Sequence, residues 1–166
     1  MAILETILSE LEFEGANTVR VLERVPLEKR EWRPHAKSMT LGELGTHLAN
    51  IPLRASRLLE EGSFDLTAAR PQPVPPGDLV EAFRENLDHL RAFLKGKDDE
   101  WTRASFSFRR GEQEVRSFPN LVFIRNVLMN HSIHHRGQLT VYLRILDVPL
   151  PAIYGTSADE PSGPQS

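Results

Sequence analysis

His131 and His135 constrain the fold of this chain more than any other feature, because they lie one helical turn apart inside an apolar stripe. Residues four apart on an α-helix differ by only about 40° in direction and about 6 Å along the axis. Two imidazoles directed into a protein interior are costly to bury without a partner. The pair therefore predicts one bound metal ion, with a second element packed against this helix to complete the ligands. The stripe itself consists of Ile124, Val127, Leu128, Leu139, Tyr142, Ile145 and Leu146.

His47 is the predicted third ligand. A zinc-like ion held by two imidazoles needs at least one more protein ligand, and His47 lies at the edge of the apolar stripe of another predicted helix. His134 falls roughly 90° from the centre of its stripe and is predicted to lie on the flank. His35 and His89 are predicted to be exposed.

Four segments have helical periodicity, and they are residues 2–23, 40–58, 78–94 and 119–146. The second opens with Thr40 and Glu43, the spacing of a capping box. Pro52 is expected to kink this helix without ending it. The third helix begins at Asp78, again with a carboxylate three residues later.

Two segments interrupt the helical pattern. Residues 62–77 carry four prolines and predict a long crossover loop. Residues 105–117 alternate between aromatic and polar side chains around a possible turn at Arg110 and Gly111, which predicts a β-hairpin. The chain is therefore predicted to be all-α, a four-helix bundle with a long crossover loop and a small β-hairpin insert before the last helix. Its 166 residues suit one domain at 1–158 with a flexible tail at 159–166.

The composition excludes several classes of function. With a net charge of -3 and no run of basic residues, we predict that this chain does not bind nucleic acid. With no cysteine, any thiol chemistry needs a thiol supplied by a substrate. No apolar run is long enough to span a membrane and the start has no signal-peptide pattern, so we predict no membrane association and a cytoplasmic location.

The histidine spacing also excludes two familiar site types. No glutamate follows His131, so the general base of the zincin proteases is missing. The predicted helices also lack the paired glutamates and Glu-x-x-His repeats of carboxylate di-iron bundles. Three neutral imidazoles leave a divalent ion with its full charge and one open position, which is typical of a catalytic site.

These motifs resemble the DinB/YfiT-like superfamily. The resemblance is carried by the run Leu-Gly-Glu-Leu-Gly-Thr-His-Leu at 41–48, by His-Ser-Ile-His-His-Arg-Gly-Gln-Leu at 131–139 and by Pro-Ala-Ile-Tyr-Gly at 151–155. It implies a four-helix bundle, often a homodimer, with a divalent metal held by residues corresponding to His47, His131 and His135. Characterised relatives include thiol S-transferases that use bacillithiol and a mycothiol-dependent isomerase.

Residues near the ligands invite further interpretations. Gln138 is expected either to hydrogen-bond a metal-bound species or to satisfy a backbone group. Glu43 is expected to cap its helix, and orientation of His47 is the alternative role. Arg136 is predicted to form a surface or interface ion pair. Gly137 is expected to allow close approach of another helix or a ligand.

We therefore predict a metal-dependent transferase that activates a small-molecule thiol for attack on an electrophile. One alternative is a hydrolase that uses metal-bound hydroxide, and another is a metal-binding, stress-associated protein without turnover. Zn²⁺ or Ni²⁺ is the expected ion, although Fe²⁺ and Mn²⁺ also accept imidazoles.

Overall fold

The computed structural model describes residues 3–68 and 77–160, and this part of the chain is mostly helical with a small three-stranded sheet. No helix within these ranges is long and apolar enough to cross a membrane. The helices are α1 (Ile3–Leu22), α2 (Leu41–Glu61), α3 (Leu79–Lys95), α4 (Asp99–Arg103), α5 (Asn120–Phe123) and α6 (Asn130–Ile145). A short 3-10 helix, Leu27–Lys29, follows α1, and a π-helical segment, Ile124–Met129, joins α5 to α6.

Helix α2 begins where the capping box predicts. The Thr40 hydroxyl accepts from the backbone N–H of Glu43 at 3.0 Å, and the Glu43 carboxylate accepts from the backbone N–H of Thr40 at 2.7 Å. The helix continues through Pro52 and ends at Gly62, whose φ of 66° is in the left-handed region that glycine adopts readily. Glu43 therefore caps the helix, as predicted, and its carboxylate is engaged there.

Two glycines let the helices pack closely. A Cβ added to Gly15 of α1 would come within 2.5 Å of the Leu87 side chain of α3. A Cβ added to Gly45 of α2 would come within 2.8 Å of the Leu79 side chain, which also belongs to α3. Helices α1 and α2 thus both pack against α3 at positions where a larger residue would clash. Helix α3 starts as predicted, with the Asp78 side chain accepting from two backbone N–H groups.

The predicted hairpin is present, and it belongs to a larger sheet. Strand β2 (Ser105–Arg110) pairs antiparallel with β3 (Gln113–Pro119), and Gly111 supplies a positive φ at the turn. Strand β1 (Ser63–Asp65) pairs in parallel with β2. The sequence prediction of a loop from residue 62 was wrong for this strand, because three residues are too few to show alternation. Residues 69–76 of that loop lie outside the described residues.

The predicted last helix is confirmed, and part of it is π-helical instead of α-helical. Helix α5, the π-helical segment and α6 follow one another without a break from Asn120 to Ile145. Phe123, Ile124 and Leu139 are fully buried, whereas Ile145, which the sequence assigned to the inward stripe, is 56 % exposed. Helix α6 contacts both α1 and α2, and this places its two histidines beside α2.

The chain beyond α6 is held against α1 and α6. Glu160 forms ion pairs with Arg20 of α1 at 2.6 Å and with Arg24, two residues after the end of α1, at 3.2 Å. Asp159 pairs with Arg144 of α6 at 2.6 Å. Both acidic residues belong to the tail predicted at 159–166, and each is held by an ion pair, while residues 161–166 lie outside the described part.

Candidate metal centre

Three histidine side chains from two helices meet between α2 and α6. His47 Nε2 lies 3.3 Å from His131 Nε2, which lies 2.7 Å from His135 Nε2. One ring nitrogen from each of the three residues falls within 4.8 Å of the other two. The structure thus brings together the three residues that the sequence singled out, and the group could hold a metal ion.

Hydrogen bonds fix the protonation of two of these rings. His135 Nδ1 lies 2.7 Å from Gln138 Oε1, and His131 Nδ1 lies 3.3 Å from the backbone oxygen of Val127. Both partners are acceptors, so each Nδ1 carries the proton and donates it. The Nε2 atoms are left with their lone pairs directed at one another. Lone pairs this close repel unless a cation lies between them.

The surroundings keep the histidines neutral. Burial, followed by the charges of His135, His131 and Arg54, lowers the pKa of His47 from 6.5 to about 4. Burial is also the main cause that lowers the pKa of His131 and of His135. Neutral imidazoles at neutral pH are the form that binds a metal, because a proton on Nε2 would occupy the lone pair that the metal needs.

The distances are compatible with a tetrahedral ion. Zn–N bonds of about 2.0–2.1 Å at a tetrahedral angle separate two ligand nitrogens by about 3.3–3.4 Å. The 3.3 Å between His47 and His131 meets this value. The 2.7 Å between His131 and His135 is shorter, so these rings need to move apart by about 0.6 Å to share an ion.

The group is only partly buried. His135 is 9 % exposed, and His47 and His131 are each partly exposed. Because three protein ligands leave one position of a four-coordinate ion unfilled, a small molecule could reach an ion held here. His35, His89 and His134 are exposed and take no part in the group. His89 instead lies 3.0 Å from the Ser56 hydroxyl.

Gln138 has a role that the sequence interpretation did not contain. Its side chain is bonded to a histidine ring rather than to a backbone group, at 2.7 Å from His135 Nδ1. The bond holds the ring in the tautomer that directs Nε2 at the other two histidines. Buried histidine ligands commonly donate their second N–H to such an acceptor, which orients the ring and raises its basicity.

The predicted ion pair of Arg136 is present, but it is buried, and Gly137 differs from its predicted role. Arg136 is 3 % exposed, and its guanidinium forms a 2.6 Å ion pair with Glu14 of α1. It also donates to the Thr18 hydroxyl at 3.2 Å and to the Tyr154 hydroxyl. At Gly137, no heavy atom of the described residues lies within 4 Å of an added Cβ, so close approach does not explain this glycine.

Arg54 is a residue near the site that the sequence reasoning missed. Its charge lowers the pKa of both His47 and His131. The helical spacing in the sequence could have indicated this residue. Arg54 follows His47 by seven residues and therefore lies two helical turns further along nearly the same face. The π-helical segment directly before α6 left no comparable sequence signal.

A mostly helical chain whose facing helices present three histidines, in a group that could hold a metal ion, defines a recognisable class of protein. The DinB family model matches residues 1–165, and the chain belongs to the DinB family. It is 28 % identical over 162 residues to the uncharacterized protein YrdA of Bacillus subtilis (strain 168), covering 95 % of this chain and 91 % of that protein.

Two solved structures show the same fold. A DinB-like protein of Bacillus cereus ATCC 10987 matches with a TM-score of 0.71 at 23 % identity, over 92 % of this chain and 98 % of that one. The DinB-like protein YjoA of Bacillus subtilis matches with a TM-score of 0.70 at 19 % identity, over 89 % and 96 % of the two chains. At these identities the likeness concerns the fold.

Proposed function

We propose that this protein binds one divalent metal ion through Nε2 of His47, His131 and His135. The observation that carries the proposal is the convergence of three neutral imidazoles, two of which have their Nδ1 protons committed to other acceptors. Zn²⁺ and Ni²⁺ fit a nitrogen ligand set of this kind best, and Fe²⁺ and Mn²⁺ also accept imidazoles. The four long helices α1, α2, α3 and α6 would form a four-helix bundle around the site.

The chemistry that we propose is transfer of a small-molecule thiol to an electrophile. An ion held by the three histidines would supply an open position that lowers the pKa of a bound thiol and favours the thiolate. The sulfur would bond to the electrophilic carbon while the leaving group departs with its electron pair and the thiol proton goes to solvent. The protein's part is to hold the three rings, through Gln138 for His135 and the Val127 carbonyl for His131.

The surroundings favour this reaction over hydrolysis. Hydrolysis needs a group that accepts a proton from water, and a carboxylate beside the metal is the usual choice. The charged side chains that shift the pKa of His47 and His131 most are other histidines and Arg54. Of these groups, Arg54 is the cation at neutral pH, and its guanidinium attracts a thiolate and does not serve as a base. The lack of cysteine in the chain agrees with a thiol supplied by the substrate.

Metal and thiol binding can be measured together. Protein loaded with Co²⁺ or Ni²⁺ is titrated with glutathione, bacillithiol and mycothiol, and we expect a thiolate-to-metal charge-transfer band with at least one. Turnover is then followed with 1-chloro-2,4-dinitrobenzene. The variant His135→Ala should lose metal binding and turnover, whereas His134→Ala, at the adjacent exposed position, should keep both.

Three outcomes separate the alternatives. Metal binding without a thiol band, combined with thiol-independent cleavage of esters, would support the hydrolase. Metal binding with neither activity would support a non-catalytic metal-binding protein. Equal metal affinity in His135→Ala and His134→Ala would contradict the ligand assignment itself.

We also propose that the protein works in the cytoplasm as a homodimer on a small-molecule substrate, without nucleic acid or membrane as a partner. The support for a dimer is the exposed apolar pair Val141 and Ile145, 58 % and 56 % accessible on one side of α6. Light scattering at increasing protein concentration tests this, and a mass of one chain throughout would contradict it.

A further inference from the structure

Arg54 has a defined position relative to the three histidines. It follows His47 by seven residues on α2, which on an α-helix is a shift of about 10.5 Å along the axis and only about 20° around it. The two side chains therefore leave the helix in nearly the same direction. Arg54 is exposed, so its guanidinium lies where a molecule entering the site from solvent can meet it.

An aromatic ring from the sheet supports the guanidinium. The central carbon of the Arg54 guanidinium lies 5.5 Å from the centre of the Phe64 ring, within the range of a cation–π contact. Phe64 belongs to strand β1 and packs edge-on against Phe108 of β2, at 5.7 Å between ring centres. The contact restricts a long side chain and places its charge on a support that does not belong to α2.

By its helical spacing from His47, Arg54 lies on the side of α2 that carries the histidine group, and α2 packs directly against α6. A divalent ion at the histidines would add positive charge to this region. Positive charges on one side of a site attract ligands of the opposite sign.

We propose that Arg54, supported by Phe64, binds a carboxylate of the substrate while the reacting end of the same molecule lies at the three histidines. A guanidinium presents parallel N–H donors that match both oxygens of a carboxylate, which gives orientation as well as attraction. The substrate is thus an anionic molecule whose carboxylate and reacting group are separated by several carbon atoms. The inference rests on the proposed metal centre and names the class of substrate that it takes.

A matched pair of thiols tests the inference on the full-length protein loaded with Ni²⁺. The probes are 6-mercaptohexanoate and 6-mercaptohexanol, which differ in one terminal group, and binding is read from the charge-transfer band. We expect the acid to bind about tenfold more tightly than the alcohol, the effect of a hydrogen bond to a charged group. In Arg54→Met the two affinities should become equal.

Arg57→Met is the matched control, because Arg57 is an exposed arginine of α2 that leaves the helix in another direction. It should retain the tenfold preference, and Arg54→Lys should show an intermediate one, since lysine keeps the charge but not the paired donors. All three variants should bind one Ni²⁺ per chain with unchanged circular dichroism. A preference for the acid that persists in Arg54→Met would overturn the proposal, as would equal affinities in the unmodified protein.

A second pair of probes separates this inference from the thiol chemistry. Succinic monohydroxamate and butyrohydroxamate bind metals without a thiol and differ in a terminal carboxylate. If thiols give no band but the carboxylated hydroxamate binds more tightly in an Arg54-dependent way, the thiol proposal fails and the carboxylate subsite stands. If thiols bind but neither pair depends on Arg54, the subsite is rejected and the thiol chemistry stands.

Discussion

His135 and Arg136 are consecutive residues of α6 with opposite electrostatic surroundings. His135 faces two other histidines, and the three side chains form a group that could hold a metal ion. Arg136 faces α1, where its charge meets the Glu14 carboxylate at 2.6 Å and the Tyr154 hydroxyl donates to that carboxylate at 2.7 Å. One helical turn thus carries a histidine group that could hold a cation and, next to it, a cation that already has its anion.

The difference separates structural from functional polarity in this molecule. The Arg136 network is complete, since donors and acceptors match within it, and it ties α1, α6 and the segment after α6 together. The histidine group contains no such counter-charge, and an added cation would pair with the Nε2 lone pairs of His131 and His135. A buried polar group left without its partner is costly, so such a site indicates a ligand.

Removal of the Arg136 guanidinium should produce the largest loss of stability. In Arg136→Met, the Glu14 carboxylate stays largely buried without its counter-ion, and we expect the free energy of unfolding to fall by about 3–5 kcal/mol. Urea denaturation measures this. The folded variant should still bind one metal ion per chain, because the network does not include the three histidines.

Arg125→Met is the control for that change. Arg125 pairs with Glu10 at the same 2.6 Å, but the two side chains are 44 % and 33 % exposed. Exposed pairs contribute about 0–1 kcal/mol. Equal losses in Arg125→Met and Arg136→Met would show that burial does not distinguish the two pairs, and the comparison would fail.

Gln138→Met should weaken metal binding by the histidine group and leave the Arg136–Glu14 network unchanged. Loss of the acceptor for His135 Nδ1 frees the ring to rotate or change tautomer, and such changes typically reduce metal affinity by about 10–100-fold. Competition with a chromogenic chelator measures the affinity. Since Gln138 is exposed, the stability of the metal-free protein should change little. Gln138→Glu, which keeps an acceptor, should retain the affinity, and a loss as large as that of Gln138→Met would refute the role.

The free energy of unfolding of the metal-free protein should fall in acid because of the histidine group. The pKa of His47 is about 4 in the folded protein and 6.5 as the reference value, so between these pH values the unfolded chain binds a proton that the folded chain does not. Stability therefore falls as pH falls from 6.5 towards 4, with a slope of at most about 1.4 kcal/mol per pH unit for one proton and less for a partly exposed ring.

Urea denaturation of metal-free protein at a series of pH values measures that slope. His47→Gln should reduce it, whereas His35→Gln, in an exposed loop position, should leave it unchanged. An identical slope in both variants would mean that the histidine group does not carry the pH dependence.

Gly137→Ala should have the smallest effect and the opposite sign. Gly137 lies inside α6 with open space where a Cβ would be, so alanine should stabilise the helix by about 0.5–1 kcal/mol. Gly45→Ala, where the added atom meets Leu79 at 2.8 Å, should destabilise the protein. If Gly137→Ala is also destabilising, the face of α6 beside it is covered by another molecule in solution.

The sequence predicted the elements whose signals are local. Thr40 and Glu43 predict the start of α2 because both halves of a capping box lie within four residues. His131 and His135 predict a shared metal ion because helical spacing alone brings them together. The third predicted ligand, His47, came from the same periodicity on another helix.

Features that depend on distant partners could not be predicted in this way. Arg136 seemed a surface residue because its partner, Glu14, is 122 residues away in the sequence and only the packing of α1 on α6 joins them. Strand β1 forms because β2 lies beside it, and its three residues have no strand pattern of their own. Ile145 fits the apolar periodicity of α6, yet the described part of the chain does not cover it.

The π-helical segment Ile124–Met129 joins the buried start of the last helix to the histidines that follow it. A π-helical turn holds an extra residue compared with an α-helical one. Closing this turn into an α-helical one with the same number of residues would rotate Phe123 and Ile124 by about 100° relative to His131. The hydrophobic core and the histidine group could then no longer be satisfied together, so the wide turn is what lets one continuous helix serve both.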